Sequence, residues 1–189
     1  MDVPDNWAIV QRTAVSITAS DDGSRVFFSD GNSFFVTDES FKELFSADCL
    51  SNTRCSAKFR NGILYLLSDD YLILYDSDDG TLIRQISITS YGIGEMDMYF
   101  DEPNHQIFIQ VADQIIILDT VTWIEITSIE NVYCYHQETD RFFVYSYLLS
   151  RECKPGYIKH YTIDDLIEKA YNYLGGQEVT DELKNKYGI

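Results

Sequence analysis

Residues 68–82 run Ser68-Asp69-Asp70-Tyr71-Leu72-Ile73-Leu74-Tyr75-Asp76-Ser77-Asp78-Asp79-Gly80-Thr81-Leu82. A polar turn leads into a short apolar and aromatic run, which ends on an acid and a second turn bearing glycine. A run of this length is too short for a helix and suits a buried strand, since strands span about 4–8 residues and favour aromatic and β-branched side chains. The flanking Asp and Gly belong to tight turns, where a small polar side chain can bond the backbone and glycine accepts positive φ.

The same phrase recurs along the chain. Phe34-Phe35-Val36-Thr37-Asp38, Leu72-Ile73-Leu74-Tyr75-Asp76, Ile115-Ile116-Ile117-Leu118-Asp119 and Ile158-Lys159-His160-Tyr161-Thr162 end 38, 43 and 43 residues apart. A fixed period of about 40–45 residues with four short strands per unit marks a β-propeller blade. Each unit divides into strands a to d. The first has 14–18, 25–29, 34–37 and 42–46, with Asp21-Asp22-Gly23 and Asp30-Gly31-Asn32 as turns. The second has 55–59, 63–68, 71–75 and 81–88, and the third 96–100, 106–111, 114–118 and 123–129. The fourth offers only 132–136, 141–147 and 157–161, without a strand d.

Composition agrees with a single all-β domain. The chain is 45% hydrophobic and 14% aromatic over 189 residues, and Asp and Glu outnumber Lys and Arg by 31 to 14 for a formal charge of −17. That charge repels phosphate backbones and anionic lipid, so neither nucleic acid nor a membrane is an expected partner. Apolar runs such as Ile115–Leu118 are of strand length, and the acidic start Met1-Asp2-Val3-Pro4-Asp5 does not suit a signal peptide. A soluble cytoplasmic protein is the expectation. Cys49, Cys55, Cys134 and Cys153 form no Cys-x-x-Cys pair, and His105, His136 and His160 are scattered, so reduced thiols and no metal or other cofactor are expected. Cys134 lies in an apolar alternation and is expected in the core. Cys49 and Cys55 could bridge only if geometry allows.

On these residues the chain resembles the WD-repeat proteins. In that family a Ser and an Asp in the b–c turn precede an apolar strand c ending in Trp-Asp, and a turn with Gly leads to strand d. Tyr75-Asp76 and Leu118-Asp119 stand in the Trp-Asp place, while the family's Gly-His pair before strand a is absent. The resemblance covers roughly residues 8–162. Beyond them, residues 162–165 read as a capping box, and Leu166, Ile167, Ala170, Tyr171 and Leu174 share one helical face that Gly175-Gly176 ends. A second short helix is expected from Thr180, with Leu183 and Tyr187 on a shared face. This tail is similar to that of bacterial WD-repeat proteins, many of which carry an upstream signalling NTPase or kinase domain. No Gly-x4-Gly-Lys loop occurs here, so the resemblance reaches the propeller and tail alone. It implies a non-catalytic protein-interaction or sensing module, and leaves open whether the chain is the C-terminal part of a larger signalling protein.

The b–c turn acids Asp30, Asp69, Asp70 and Asp113 would lie on one face of such a ring. Single acids from separate blades need convergence to become a metal site, and turn Asp residues ordinarily bond their own backbone. Asp76–Gly80 fails the calcium-loop register, since glycine falls fifth rather than sixth. Asp97, on an inner strand, could face the central channel, but Ser56, Lys58, Tyr133 and His136 nearby make no recognisable nucleophile, base and orienter. Trp7 and Trp123 suit packing between blades. Leu148–Gly156 departs from the repeat as a long b–c hairpin with Arg151 and Lys154. The candidate partner-binding residues are therefore Tyr91, Arg151, Lys154, Asp69, Asp70 and Asp113, facing a protein of unknown identity. The alternative is a small-molecule-binding or hydrolytic propeller with its site at the channel mouth.

The expected architecture is all-β: four-stranded antiparallel units of degenerate WD type forming four blades within residues 1–162, with residues 163–189 a helical tail. The expected core includes Val15, Ile17, Phe27, Val36, Leu64, Leu66, Ile73, Ile109, Ile116, Leu118, Phe143 and Ile158. Trp7–Arg12 has the length and pattern of a closing or outer strand. Three closures remain open: a four-bladed ring within one chain, a homodimer that shares this strand, or a ring completed by upstream blades.

Overall fold

Near-continuous apolar runs give the middle strands of the second and third repeats two buried faces, and such strands are stable only between neighbouring layers. The computed structural model describes residues 16–48, 55–68, 70–88, 94–147, 153–161 and 163–173. Within them each repeat folds as an antiparallel meander. Blade 1 is β1 (Ser16–Ala19), β2 (Arg25–Ser29), β3 (Ser33–Asp38) and β4 (Glu43–Asp48). Blade 2 is β5 (Ser56–Arg60), β6 (Ile63–Leu67), β7 (Tyr71–Asp76) and β8 (Leu82–Ser87). Blade 3 is β9 (Met96–Asp101), β10 (Gln106–Val111), β11 (Gln114–Asp119) and β12 (Glu125–Glu130). Blade 4 has three strands, β13 (Val132–His136), β14 (Arg141–Tyr147) and β15 (Cys153–Lys159), as the missing strand d foretold. One helix follows, α1 (Ile163–Tyr173).

The recurring acid has a local task. Asp38, Asp76 and Asp119 each end strand c, just after a β-bulge against strand d. The carboxylate of Asp38 accepts from the backbone N–H of Ser40 and Lys42, that of Asp76 from Asp78, and that of Asp119 from Val121 and Thr122. These bonds fold the chain back into strand d, as Asx turns do. In the fourth repeat Thr162 stands where the acid would be, and the chain passes into α1 instead.

Blades join through three apolar junctions. Phe27, Phe34 and Val36 of blade 1 meet Ala57, Leu64, Leu66 and Ile73 of blade 2. Tyr65, Leu67, Leu72 and Leu74 of blade 2 meet Met98, Ile107, Ile109, Ile116 and Leu118 of blade 3, with Trp123 packed alongside as an anchor between blades. Phe108, Ile115 and Ile117 of blade 3 meet Val132, Tyr135 and Phe142 of blade 4. Burying a side chain of this size contributes about 1.5–3 kcal/mol, so these contacts dominate the favourable side of folding. Ion pairs span the seams at one end: Arg25–Asp78 at 2.6 Å, Arg60–Glu102 at 2.6 Å and Arg60–Asp21 at 3.3 Å.

Three expected core residues are not buried. Ile17 is 60% exposed, Phe143 40% and Ile158 45%. Among the described residues, Ile17 lies on the face of blade 1 that no preceding blade covers, and Phe143 on the face of blade 4 that no following blade covers. Ile158 does face blade 3, but it sits on β15, the last strand of a three-stranded sheet, where no strand d among the described residues shelters it. Cys134, expected in the core, is half-buried. Val15, Trp7–Arg12, Cys49 and the second tail helix fall outside the described residues.

The fourth b–c hairpin also differs from expectation. Residues 153–156 are not loop: β14 and β15 stay in register from Arg141↔Lys159 to Tyr147↔Cys153. Pro155 is tolerated in that ladder because β15 is an edge strand among the described residues, and proline costs a sheet little where its missing N–H would face outward.

Gly80 closes the blade 2 c–d turn at φ +74°, and a Cβ there would meet the Phe45 ring of blade 1 at 2.5 Å. Gly80→Ala combines left-handed strain with a clash across the first junction. The expected outcome is a loss of about 1–3 kcal/mol in urea denaturation. An unchanged midpoint would show that this seam yields freely.

Candidate interaction face

The first residues of the innermost strands gather around one opening. A cavity of about 530 Å³ is lined by Ser16 of blade 1, Cys55 and Ser56 of blade 2, Glu95, Asp97, Tyr99 and Gln110 of blade 3, and Tyr133 and Cys134 of blade 4. This is the mouth of the central channel, on the face that carries the b–c turns and the d–a crossovers.

Inner strands are tied to each other by polar contacts that the apolar pattern does not reveal. Lys58 Nζ lies 2.7 Å from Asp97 Oδ1, donates to the Met98 carbonyl at 2.5 Å, and stands 5.1 Å over the Tyr99 ring. The buried Gln110 donates through Nε2 to the Tyr133 carbonyl at 2.7 Å, which joins blade 3 to blade 4. Burial, then the Asp97 charge and a hydrogen bond to it, push the Tyr99 phenol above its usual range. The sequence places Lys58 and Asp97 on neighbouring inner strands but does not by itself pair them; their opposite charges were the signal that does.

The b–c turns are fixed through backbone atoms. The Asp70 carbonyl accepts from Ile88 N–H at 2.8 Å and the Asp113 carbonyl from Val132 N–H at 2.8 Å, so each turn holds the crossover that leaves its blade. Both side chains are exposed. Asp30 instead closes its own turn, its Oδ1 accepting from Asn32 and Ser33 N–H. Among the described residues no group of three or more His, Cys, Asp or Glu could hold a metal ion.

Of the other expected partner-binding residues, Asp69, Tyr91 and Arg151 lie outside the described residues. Lys154 stands on β15 opposite Ser146. His136 is at the far end of β13, its Nδ1 3.0 Å from Thr139 Oγ1, and so does not approach Asp97 at the mouth. No histidine lines the cavity among the described residues.

By sequence, the chain matches no family model and no curated protein. By structure, it matches solved propellers. The WD40 domain of coronin from Toxoplasma gondii aligns with 82% of this chain and 48% of its own, at a TM-score of 0.57 and 12% identity. BamB from Moraxella catarrhalis aligns with 68% of this chain and 42% of its own, at a TM-score of 0.53 and 13% identity. The chain is thus an all-β protein of WD-repeat-like propeller blades, and it spans less than half the length of either of these solved structures. No helix among the described residues is long and apolar enough to cross a membrane.

Tyr99 provides a check on the channel geometry. Its phenol is raised above the ordinary value of 10.0, so the folded chain holds that proton after the unfolded chain has released it. Stability from this group is present below the unfolded value and is lost as pH rises beyond it. Alkaline unfolding titrations should show a shallower fall with pH for Tyr99→Phe than for the native chain. An identical slope would mean that Tyr99 is open to water.

Proposed function

We propose that this chain is a non-catalytic recognition module that holds a protein segment carrying cationic side chains against the channel mouth. The supporting observation is that the turns exposing Asp70 and Asp113 are anchored by their own carbonyls to Ile88 and Val132, so the carboxylates project from fixed backbone. Glu95 is exposed at the same mouth, and Tyr133, 74% exposed, adds an aromatic surface to its lining. Fixed loops on a rigid scaffold lose little entropy on binding, and a negative rim steers a positive partner. The carboxylate count favours such a partner over an acidic one.

The competing reading is a small-molecule or hydrolytic site within the cavity. It would need Asp97 as an acid or base, and that carboxylate is engaged by Lys58. We put the module in the cytoplasm, a reading supported by a sequence with four cysteines in 189 residues and no Cys-x-x-Cys pair.

The test is fluorescence anisotropy with a labelled lysine-rich peptide at several salt concentrations. Asp70→Lys with Asp113→Lys should weaken binding about tenfold, equivalent to about 1.4 kcal/mol. Asp79→Lys with Glu125→Lys, at the opposite end of the blades, should change it little. Equal losses from both pairs would reduce the effect to overall charge and refute a site.

A further inference from the structure

We propose that two copies of this chain close head to tail into one ring, the outward face of blade 4 in each packing on the outward face of blade 1 in the other. This stands apart from the partner reading above, since it concerns the ends of the arc and not the channel mouth.

Registers of the strands place equivalent residues at each junction. Phe27, Tyr65, Phe108 and Phe143 occupy the third position of strand b in their blades and point toward the following blade. Phe27 and Phe108 are fully buried and Tyr65 is 8% exposed, but Phe143 is 40% exposed. On the opposite faces Ile17, Ala57, Met98 and Val132 pair with Phe28, Leu66, Ile109 and Val144 and point toward the preceding blade. Ala57, Met98 and Val132 are 5%, 0% and 0% exposed, whereas Ile17 is 60%. The two ends of the arc therefore present the same kind of surface that the interior buries three times, and the fitting occupant of each is the opposite face of a propeller blade. Exposure of both ends also argues against closure of the four blades upon themselves.

Charge agrees with this pairing. Arg25 opens β2 and reaches across the first junction to Asp78, in the c–d turn of blade 2. Arg141 opens β14 at the equivalent place, lying 4.4 Å over the Tyr157 ring on the outward face of blade 4. The c–d turn it would meet on a second copy is that of blade 1, Asp38-Glu39-Ser40-Phe41, where Glu39 is exposed. Two copies are the number that closes, because this arc overlays 48% of the coronin WD40 domain. A head-to-tail contact repeated by a two-fold axis leaves no open face, which a longer open series would.

Light scattering on the intact chain at micromolar concentration tests this. The expected mass is twice the 21.8 kDa of one chain. A single-chain mass, or a polydisperse series of larger species, overturns the proposal. Phe143→Glu and, separately, Ile17→Glu should each give a single-chain mass with an unchanged β-type circular dichroism spectrum, since both side chains are exposed within one copy. Persistence of the dimer in either folded variant overturns it. Tyr173→Glu, on the exposed tail helix, should leave the dimer intact; dissociation there would place the contact in the tail and overturn it too.

Discussion

Everything in this molecule depends on blades burying their apolar faces against one another. No single four-stranded sheet here could stand alone: Leu64, Leu66 and Ile73 point one way from blade 2 and Tyr65, Leu67, Leu72 and Leu74 the other, and each set is dry only because a neighbour covers it. Stability is therefore shared between successive blades, as in other repeat architectures. Polar groups enter this scheme as ties across seams. Lys58 joins blades 2 and 3 through Asp97 and the Met98 carbonyl, and Gln110 joins blades 3 and 4.

A second constraint works within each blade. Strand c must turn sharply into strand d after a bulge, and Asp38, Asp76 and Asp119 supply the acceptor that stabilises that turn. The turn-closing residues carry positive φ in all three blades, at Phe41, Gly80 and Trp123. Gly80 adopts this at little cost, while Phe41 and Trp123 recover the strain through packing, against Phe28 and against the core between blades 2 and 3. The missing acid and the missing strand in the fourth repeat are one event: without the turn, the edge of β15 stays unpaired among the described residues and α1 begins.

Much of the fold was legible because period-two alternation and Asp-Gly turns are local properties. Strands β2, β10, β13 and β14 have the bounds their sequence implied, and the repeat spacing located every blade. What was hidden is relational. Ile17 and Phe143 have core character, yet their burial depends on whether a blade stands beside them, which no local pattern can say. Pro155 and Gly156 read as loop because their types disfavour strands, and only the unbroken register from Arg141 outward overrides that. At the channel mouth, Asp70 and Asp113 were recognisable as turn acids. The carbonyl bonds that fix them were not, because backbone carbonyls leave no mark on sequence.

The middle blades are held from both sides through strands b and c, with strand d contributing little. Amide hydrogen exchange measured by NMR reads this directly. Exchange should be slowest along β6, β7, β10 and β11, whose side chains fill the junctions, and distinctly faster along β8 and β12, whose side chains are largely exposed. Protection in β8 and β12 equal to that in β6, β7, β10 and β11 would contradict it.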